Sequence, residues 1–332
     1  MRMNRTRVTI LSITIIPTRK NASNSYAFCL VNKVKDEDYH DEIGKIEEVK
    51  NGHLKKQELL NKVLDNLPRK YRRKVKLLFH EFIIILAIKI DELQPTKLLP
   101  HTIQLIENAK PIKQKGYRLS KIQAQALKQE ITKLIKNKLI EPSNSPWSSP
   151  VVLVLKKNKK WRMCVDYRKL NNVTIKDAYA LPIIDSILFS IGRKVMVFTT
   201  IDLFSGFHQI SMNKEDIPKT TFTTMFGNYQ FRVMPFGLCN APGTFQREMN
   251  RIFFPLIGVC MLIYIDDLVI FSPSMEEHIQ NLRKVITIIK NNGLKINLEK
   301  CHIFKKKVEL LGHILSVEGV APIPEKIEII HN

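Results

Sequence analysis

Residues 261–272 read MLIYIDDLVIFS, placing two adjacent carboxylates, Asp266 and Asp267, inside an otherwise apolar run. An ionised carboxylate in an apolar setting is costly unless it is paired. The pair therefore belongs at an exposed turn or beside a cation. Neighbouring strand residues point to opposite faces, so only at a hairpin tip can both acids converge on one ion. A third acid, Asp202, ends a different apolar run, VMVFTTID (195–202). Three oxygen ligands from two strands suit Mg²⁺, which keeps waters and recruits substrate phosphates. Two such ions about 3.5–4 Å apart can clamp the attacking and leaving oxygens of an in-line phosphoryl transfer. The plainer alternatives stay open here: Asp266–Asp267 as an ordinary turn, which Asp favours, and Asp202 as a helix cap. Residues 156–169 add seven Lys/Arg and one acid. Such cations either steady charge on a transferring phosphoryl group or form a solvated basic turn.

These residues need a scaffold, and the patterning supplies one. Ser120 with Gln123 resembles a capping box, followed by Leu127, Ile131, Leu134 and Ile135 at helical spacing, with Pro142 as the stop. VVLVL (151–155) and WRMCVDY (161–167) flank the basic tip KKNKK as a hairpin. YQFRVMPFG (229–237) reads as a strand entering a turn, and Pro242 suits the first turn of a helix through about residue 254. MLIY and LVIF flank Ile265–Asp266–Asp267 as a tight hairpin. Ser274 with Glu277 forms a second capping box, and its helix presents Ile279, Leu282, Ile286 and Ile289 and ends at Gly293. Short strands are expected around LKINL and VELLGHIL, and a buried helix segment at FIIILAI (82–88). Residues 57–92 read as helical with a break at Pro68, and QPTKLLP (94–100) as an extended connector. Interleaved hairpins and helices, without regular βαβ crossovers, give an α+β class with a mainly antiparallel sheet.

The formal net charge of +22, from 53 Lys+Arg against 31 Asp+Glu, points to a polyanionic partner, nucleic acid before membrane. FIIILAI is too short for the roughly 20 apolar residues of a membrane span. Five cysteines, none in a CxxC pair, argue against a disulfide framework and fit a reducing compartment. Cys301, His302 and His313 lack zinc-site spacing. The opening MRMNRTRVTILSITIIPTRK is Arg-rich and acid-free; we read it as an upstream piece of a longer polyprotein, with a transit peptide as the other option.

Six segments together carry a family resemblance. They are SPWSSPVVLVLKKNKKWRMCVDYRKLNNVTIKDAYALPIID, FTTIDLFSGFHQI, IPKTTFTT, FRVMPFGLCNAPGTFQREMN, YIDDLVIF and LLGHILS. In this order they resemble the reverse transcriptase of gypsy-class LTR retrotransposons, a part of a Pol polyprotein. The similarity covers roughly 95–325. It implies a right-hand polymerase fold with fingers and palm, a palm with a mainly antiparallel sheet, and a thumb largely missing. Residues 1–56 then form a poorly defined N-terminal segment, 57–94 a helical leader, 95–325 fingers and palm, and 326–332 the start of a thumb.

By motif match, the resemblance makes Asp202, Asp266 and Asp267 the catalytic, metal-binding acids, holding two Mg²⁺ ions with Mn²⁺ as a substitute. It puts Lys156 or Lys157, with Arg162, against the incoming triphosphate, and Ser205, Gly206, Phe207, Phe236 and Gly237 around the nucleotide. Phe207 is implied to close the pocket against a ribose 2′-OH. Tyr264 is implied to lie at the primer terminus, and Leu311, Gly312 and His313 to grip the primer strand. The implied partners are an RNA or DNA template-primer and dNTPs, with no membrane and no oligomeric state specified. The implied setting is intracellular, a cytoplasmic retrotransposon particle, or else the nucleus. The implied activity is RNA-directed DNA polymerisation; the alternative is a weak or inactive nucleic-acid-binding remnant. Three departures stand out. Phe204 replaces the usual Arg, Phe207 sits where Tyr is usual but keeps the steric function, and Gly243 sits where Ala or Ser is typical, which weakens a helix start slightly.

Overall fold

A computed structural model describes Gly52 and residues 54–81, 83–155, 161–180 and 195–323. The described residues from Leu59 onward belong to one compact unit. Residues 59–65 are helical, Pro68 breaks the run, and helix α1 (Arg69–Glu81) follows. Next come helix α2 (Lys121–Lys136), strands β1 (Ile140–Pro142), β2 (Ser149–Leu155) and β3 (Trp161–Val165), and the short helix α3 (Arg168–Asn172). Strands β4 (Val197–Asp202), β5 (Phe222–Thr224) and β6 (Gly227–Phe231) lead to helix α4 (Ala241–Phe253). The chain continues with β7 (Met261–Tyr264), β8 (Asp267–Ser272), helix α5 (Met275–Asn291), and β9 (His302–Lys305). Strands β10 (Lys307–Leu310), β11 (His313–Ser316) and β12 (Gly319–Pro322) come last.

These strands build three sheets, in the orders β1-β6-β5-β2-β3, β7-β8-β4-β9 and β10-β11-β12. Among the described strands, only β2 and β5 pair in parallel; the other ladders are antiparallel. The class is α+β, as the patterning implied.

Local chemistry sets most boundaries. Ser120 Oγ accepts the Gln123 N–H, and Gln123 Oε1 accepts the Ser120 N–H, at 3.3 and 2.9 Å. This starts α2, which buries Leu127, Ile131 and Leu134 but leaves Ile135 exposed. Pro142 is not its stop. The helix ends at the Asn137 cap, Lys138 takes a left-handed φ of 57°, and Pro142 closes β1 instead. At α5, Ser274 Oγ accepts the Glu277 N–H. Gly293 ends it at φ 75°, where an added Cβ would lie 3.2 Å from the Pro95 carbonyl oxygen.

Three further expectations need correction. Residues 83–85 form a 3₁₀ turn rather than part of an α-helix, because Ile85 and Ala87 give their backbone groups to Ile296. LKINL is not a strand: Ile296 makes only single-residue bridges to Leu86 and Leu203. The buried face of α5 consists of His278, Asn281, Leu282, Val285, Ile286 and Ile289, with Ile279 only half-buried. His278 bridges Thr199 Oγ1 (2.7 Å) and Ser272 Oγ (3.0 Å), and Asn281 Nδ2 donates to Ser272 Oγ. Those bonds let two polar residues occupy core positions.

Strand alternation gives the four-stranded sheet two different faces. Ile201, Ile263, Leu268 and Ile270 belong to the main core, with Phe245 and Met249 of α4 and Leu282 and Ile286 of α5. Phe198, Leu262, Val269 and Phe271 face the other way, against Val308, Leu310 and Leu315 of the β10–β11 hairpin. The register pairs Phe198 with Phe271, Thr200 with Val269 and Asp202 with Asp267. Asp202 and Asp267 therefore share the second face.

Burial holds the His278 ring neutral, depressing its pKa to about 3. The unfolded chain binds the extra proton from about pH 6.5 downward, so this contribution to stability is complete above that value and is lost toward pH 3. His278→Gln should flatten the dependence of unfolding free energy on pH between 4 and 6 by up to about 1.4 kcal/mol per pH unit. Urea titrations across that range measure it; an unchanged slope counts against a neutral buried imidazole.

Candidate active site

Tyr264 and Asp267 are cross-strand partners, so Ile265 and Asp266 form a two-residue turn between β7 and β8. Asp202 lies across from Asp267 on the neighbouring strand. Directly opposed strand residues have Cα atoms only about 4.5–5.5 Å apart. The register thus gathers all three acids at one end of the sheet, with Tyr264 on the same face.

The turn is held in an unusual shape. Ile265 has a φ of 51°, a region that β-branched residues rarely enter. Its N–H donates to Gln246 Oε1 at 2.6 Å, while Gln246 Nε2 donates to the Ile263 carbonyl and to Asn250 Oδ1. Gln246 is fully buried on α4, and Ile265 packs against the main core. Helix and side chain together offset the strain that aims Asp266.

Electrostatics separates this cluster from ordinary surface acids. The Asp266 carboxyl is pushed up to about 6, by burial first and then by the charges of Asp202 and Asp267. Asp267 is raised by burial and then by Asp202. Asp202 is also raised by burial, against the pull of Lys300, whose Nζ lies 3.3 Å from its Oδ2. Asp266 and Asp267 reach solvent, but the protein around them is dense enough to disfavour their charge. Among the described residues, no three acidic, His or Cys side chains already converge as a ligand set. The donor chemistry nevertheless fits a hard divalent cation: carboxylate oxygens only, with repulsion that one exposed lysine does not cancel.

Beside the acids lies an aromatic stack. Phe207 stacks on Phe236 at 5.1 Å and leans on Phe245 at 5.4 Å. The Arg162 guanidinium covers Phe236 at 5.2 Å, so β3 reaches the aromatic stack. His208 meets Phe236 edge-on at 5.3 Å; burial lowers its pKa to about 4. Phe207 is buried, and Phe236 is the exposed ring of the pair. Ser205 enters the following turn at φ 50°. Gly206 has no room for a side chain: a Cβ there would lie 3.0 Å from Asp266 Oδ1 and 3.1 Å from Phe245 Cζ. Gly237, at φ 98°, accepts a bond from Asn171 Nδ2, and a Cβ would meet the Val165 carbonyl at 3.2 Å. Lys156 and Lys157 lie outside the described residues.

Leu311 and Gly312 form the β10–β11 turn with φ of 51° and 80°. Leu311 and Tyr264 pack on the same apolar cluster, so the Leu311–His313 turn stands beside the acid-bearing face. The His313 Nδ1 atom is buried without a hydrogen-bond partner.

The sequence profile described as "Reverse transcriptase (RNA-dependent DNA polymerase)" matches residues 154–315. Residues 154–315 belong to the reverse transcriptase family. The Pol polyprotein of transposon 297 from Drosophila melanogaster is 40% identical over 282 residues, 83% of this chain and 26% of that protein. The corresponding polyprotein of transposon gypsy is 37% identical over 235 residues, 69% and 22% of the two chains. The chain thus spans about a quarter of the length of these relatives. A foamy viral protease-reverse transcriptase, solved in complex with an RNA/DNA hybrid, superposes with a TM-score of 0.75 at 23% identity. It covers 83% of this chain and 37% of that one, and the likeness establishes a right-hand polymerase fold.

Within this reverse transcriptase fold, two residues at the acids carried no signal in our reading of the sequence. Gln246 sits in the quoted segment PGTFQREMN, but only the structure reveals its bond to the YIDD turn. Lys300 lies far along the chain and reaches Asp202 through the 3₁₀ turn Leu298–Lys300. The Phe204 departure leaves the backbone intact, because its N–H and carbonyl bond to the Lys295 carbonyl and to Gln209 Nε2.

The two glycines of this region should respond oppositely to a methyl group. Gly206→Ala forces Asp266 or Phe245 aside and should destabilise by about 1–3 kcal/mol. Gly243→Ala, whose Cβ would lie 3.4 Å from Asp177 Oδ2, should gain about 0.5–1 kcal/mol of helix propensity. Chemical denaturation of both variants decides; equal effects would contradict the crowding at Gly206.

Proposed function

We propose that this chain is the polymerase portion of a retrotransposon Pol polyprotein, an RNA-directed DNA polymerase that adds dNTPs to a primer 3′-OH on an RNA or DNA template. The β2–β3 hairpin belongs to the fingers, and the β7-β8-β4-β9 sheet is the palm. The observation that carries this is the register placing Asp202 opposite Asp267, with Asp266 in the adjoining turn.

Asp202, Asp266 and Asp267 would hold two Mg²⁺ ions. When bound, these supply Lewis-acid stabilisation of the attacking 3′-oxygen and of the leaving pyrophosphate. The chain's own side chains do the rest. Arg162, with Lys156 or Lys157, fixes cationic charge toward the triphosphate. Phe236 offers the exposed aromatic face at the nucleotide. Phe207, beneath it, limits the depth available at the sugar, and Ser205 and Gly206 keep the backbone close to Asp266. Tyr264 and the Leu311–His313 turn flank the primer end on the open face of the sheet. The foamy viral enzyme was solved with an RNA/DNA hybrid and with double-stranded DNA, which supports nucleic acid as the occupant of this cleft.

Asp266→Asn tests this directly. Primer extension with Mg²⁺ on poly(rA)/oligo(dT) should disappear, while template-primer affinity changes by less than about threefold (roughly 0.6 kcal/mol). The same variant should be more stable than the parent at neutral pH. Its raised carboxyl pKa means that the ionised form, present in both folded and unfolded states at pH 7, is disfavoured in the fold. Discounted for solvent screening, the gain is about 1 kcal/mol. Retained extension would refute the assignment.

A further inference from the structure

Helix α1 begins RKYRRKVK: six basic residues in eight, and no acid before Glu81. Tyr71, Val75, Leu78 and Phe79 are buried and fix one side of this helix against the core. Arg69, Arg73 and Lys76 then share an exposed stripe at i, i+4 and i+7, with Lys70 and Lys74 as a second stripe beside it. Among the described residues, Arg69, Arg73 and Lys76 form no ion pair. Lys70 reaches Glu276 at 3.8 Å, and Arg72 bonds the Leu67 and Asp65 carbonyls.

The position is as informative as the charge. Tyr71 donates to Glu276 Oε1 of α5 at 2.6 Å. Phe79 lines a small apolar cavity with Leu282 and Ile286 of α5 and Thr199 and Ile201 of β4. Thr199 and Ile201 alternate with Thr200 and Asp202, so α1 lies on the helix-covered side of the sheet, opposite the acids. The cationic stripes therefore do not belong to the cleft described above.

The arrangement also costs the isolated protein something. Cations in a first turn oppose the helix dipole, and like charges at i, i+4 repel, as between Arg69 and Arg73 or Lys70 and Lys74. Helix formation does not need them, and the core contacts come from other residues. A polyanion laid along the stripes relieves both penalties.

We propose that the exposed side of α1 is a second nucleic-acid contact, binding the phosphate backbone of single-stranded RNA outside the polymerase cleft. A stripe from position 69 to 76 extends about 10 Å, enough for a few successive phosphates. Recognition there is electrostatic and independent of sequence.

The test compares the full chain with R69Q/R73Q/K74Q/K76Q. Gln keeps helix propensity, and none of the four residues belongs to the acid or nucleotide site. For a single-stranded RNA of about 30 nucleotides, affinity at low salt should fall roughly tenfold or more, and the slope of log K against log[salt] should shrink by about 3. Extension of a short template-primer confined to the cleft should not change. The RNA measurement reads α1 whether or not extension occurs, so the two proposals fail separately. If the fourfold variant melts early, Arg73→Gln and Lys76→Gln alone should each reduce the slope by about 0.7. Unchanged RNA affinity and slope would overturn the proposal. So would unchanged RNA binding accompanied by loss of binding to phosphatidylserine vesicles, which would make α1 a membrane contact.

Discussion

Everything at the candidate active site follows from a single repulsion. Three carboxylates lie at one end of a four-stranded sheet because the register of β4 and β8 sets Asp202 against Asp267 and the β7–β8 turn adds Asp266. Left to themselves, such charges move apart or take up a proton; burial first, and then the charges of Asp202 and Asp267, push the Asp266 carboxyl up to about 6. The surrounding structure prevents separation. A six-residue antiparallel ladder holds β4 to β8. A buried Gln246 holds the turn from below at Ile265. Gly206 lets its backbone approach Asp266 more closely than any side chain would permit. The ladder and the Gln246 bond offset part of the repulsion locally, and the apolar cores on both faces of the sheet supply the rest.

Those two cores explain how an open site can be rigid. The main core fixes the helix-covered face, and the smaller cluster fixes most of the other face under the β10–β11 hairpin. What stays open is the end where the acids stand. The Leu311–His313 turn and Tyr264 share the smaller cluster, so the groups expected to flank a primer are anchored to the strands that carry the acids. On the fingers side, the contact from Arg162 through Phe236 to Phe207 links β3 to the turn after β4. Cation–π and stacking contacts of this kind are worth about 0.5–2 kcal/mol each, enough to orient the hairpin.

Much of this was legible in the residues. Apolar runs that ended in acids gave the strands and their tips, and Ser120–Gln123 and Pro242 marked helix starts that the structure places at Lys121 and Ala241. The errors have physical causes. The buried face of α5 is wider than its apolar pattern, because His278 and Asn281 look like surface residues until Thr199 and Ser272 are seen to satisfy them. Residues 83–85 and Ile296 form irregular backbone because each completes the other's hydrogen bonds across a long chain separation, which no local pattern encodes. Pro142 drew attention from Asn137, a weaker signal that nonetheless ends α2. Gln246 and Lys300 act through space on acids distant in sequence, so spacing could not reveal them.

The molecule carries unbalanced charge of both signs, and the geometry keeps the two apart. The acids face one side of the sheet, and α1 with its cationic stripes packs on the other, beside α5. Between them stand apolar side chains and a hydrogen-bonded, neutral His278. Through such a low-dielectric layer the fields would couple strongly if direct contact were possible, but the sheet and helices impose a fixed separation and solvent screens the remainder. Neither group can therefore neutralise the other. Under the two proposals above, each is completed from outside, the acids by small hard cations and the cationic helix by a polyanion. A fold that holds both must draw its stability from packing rather than from its charges.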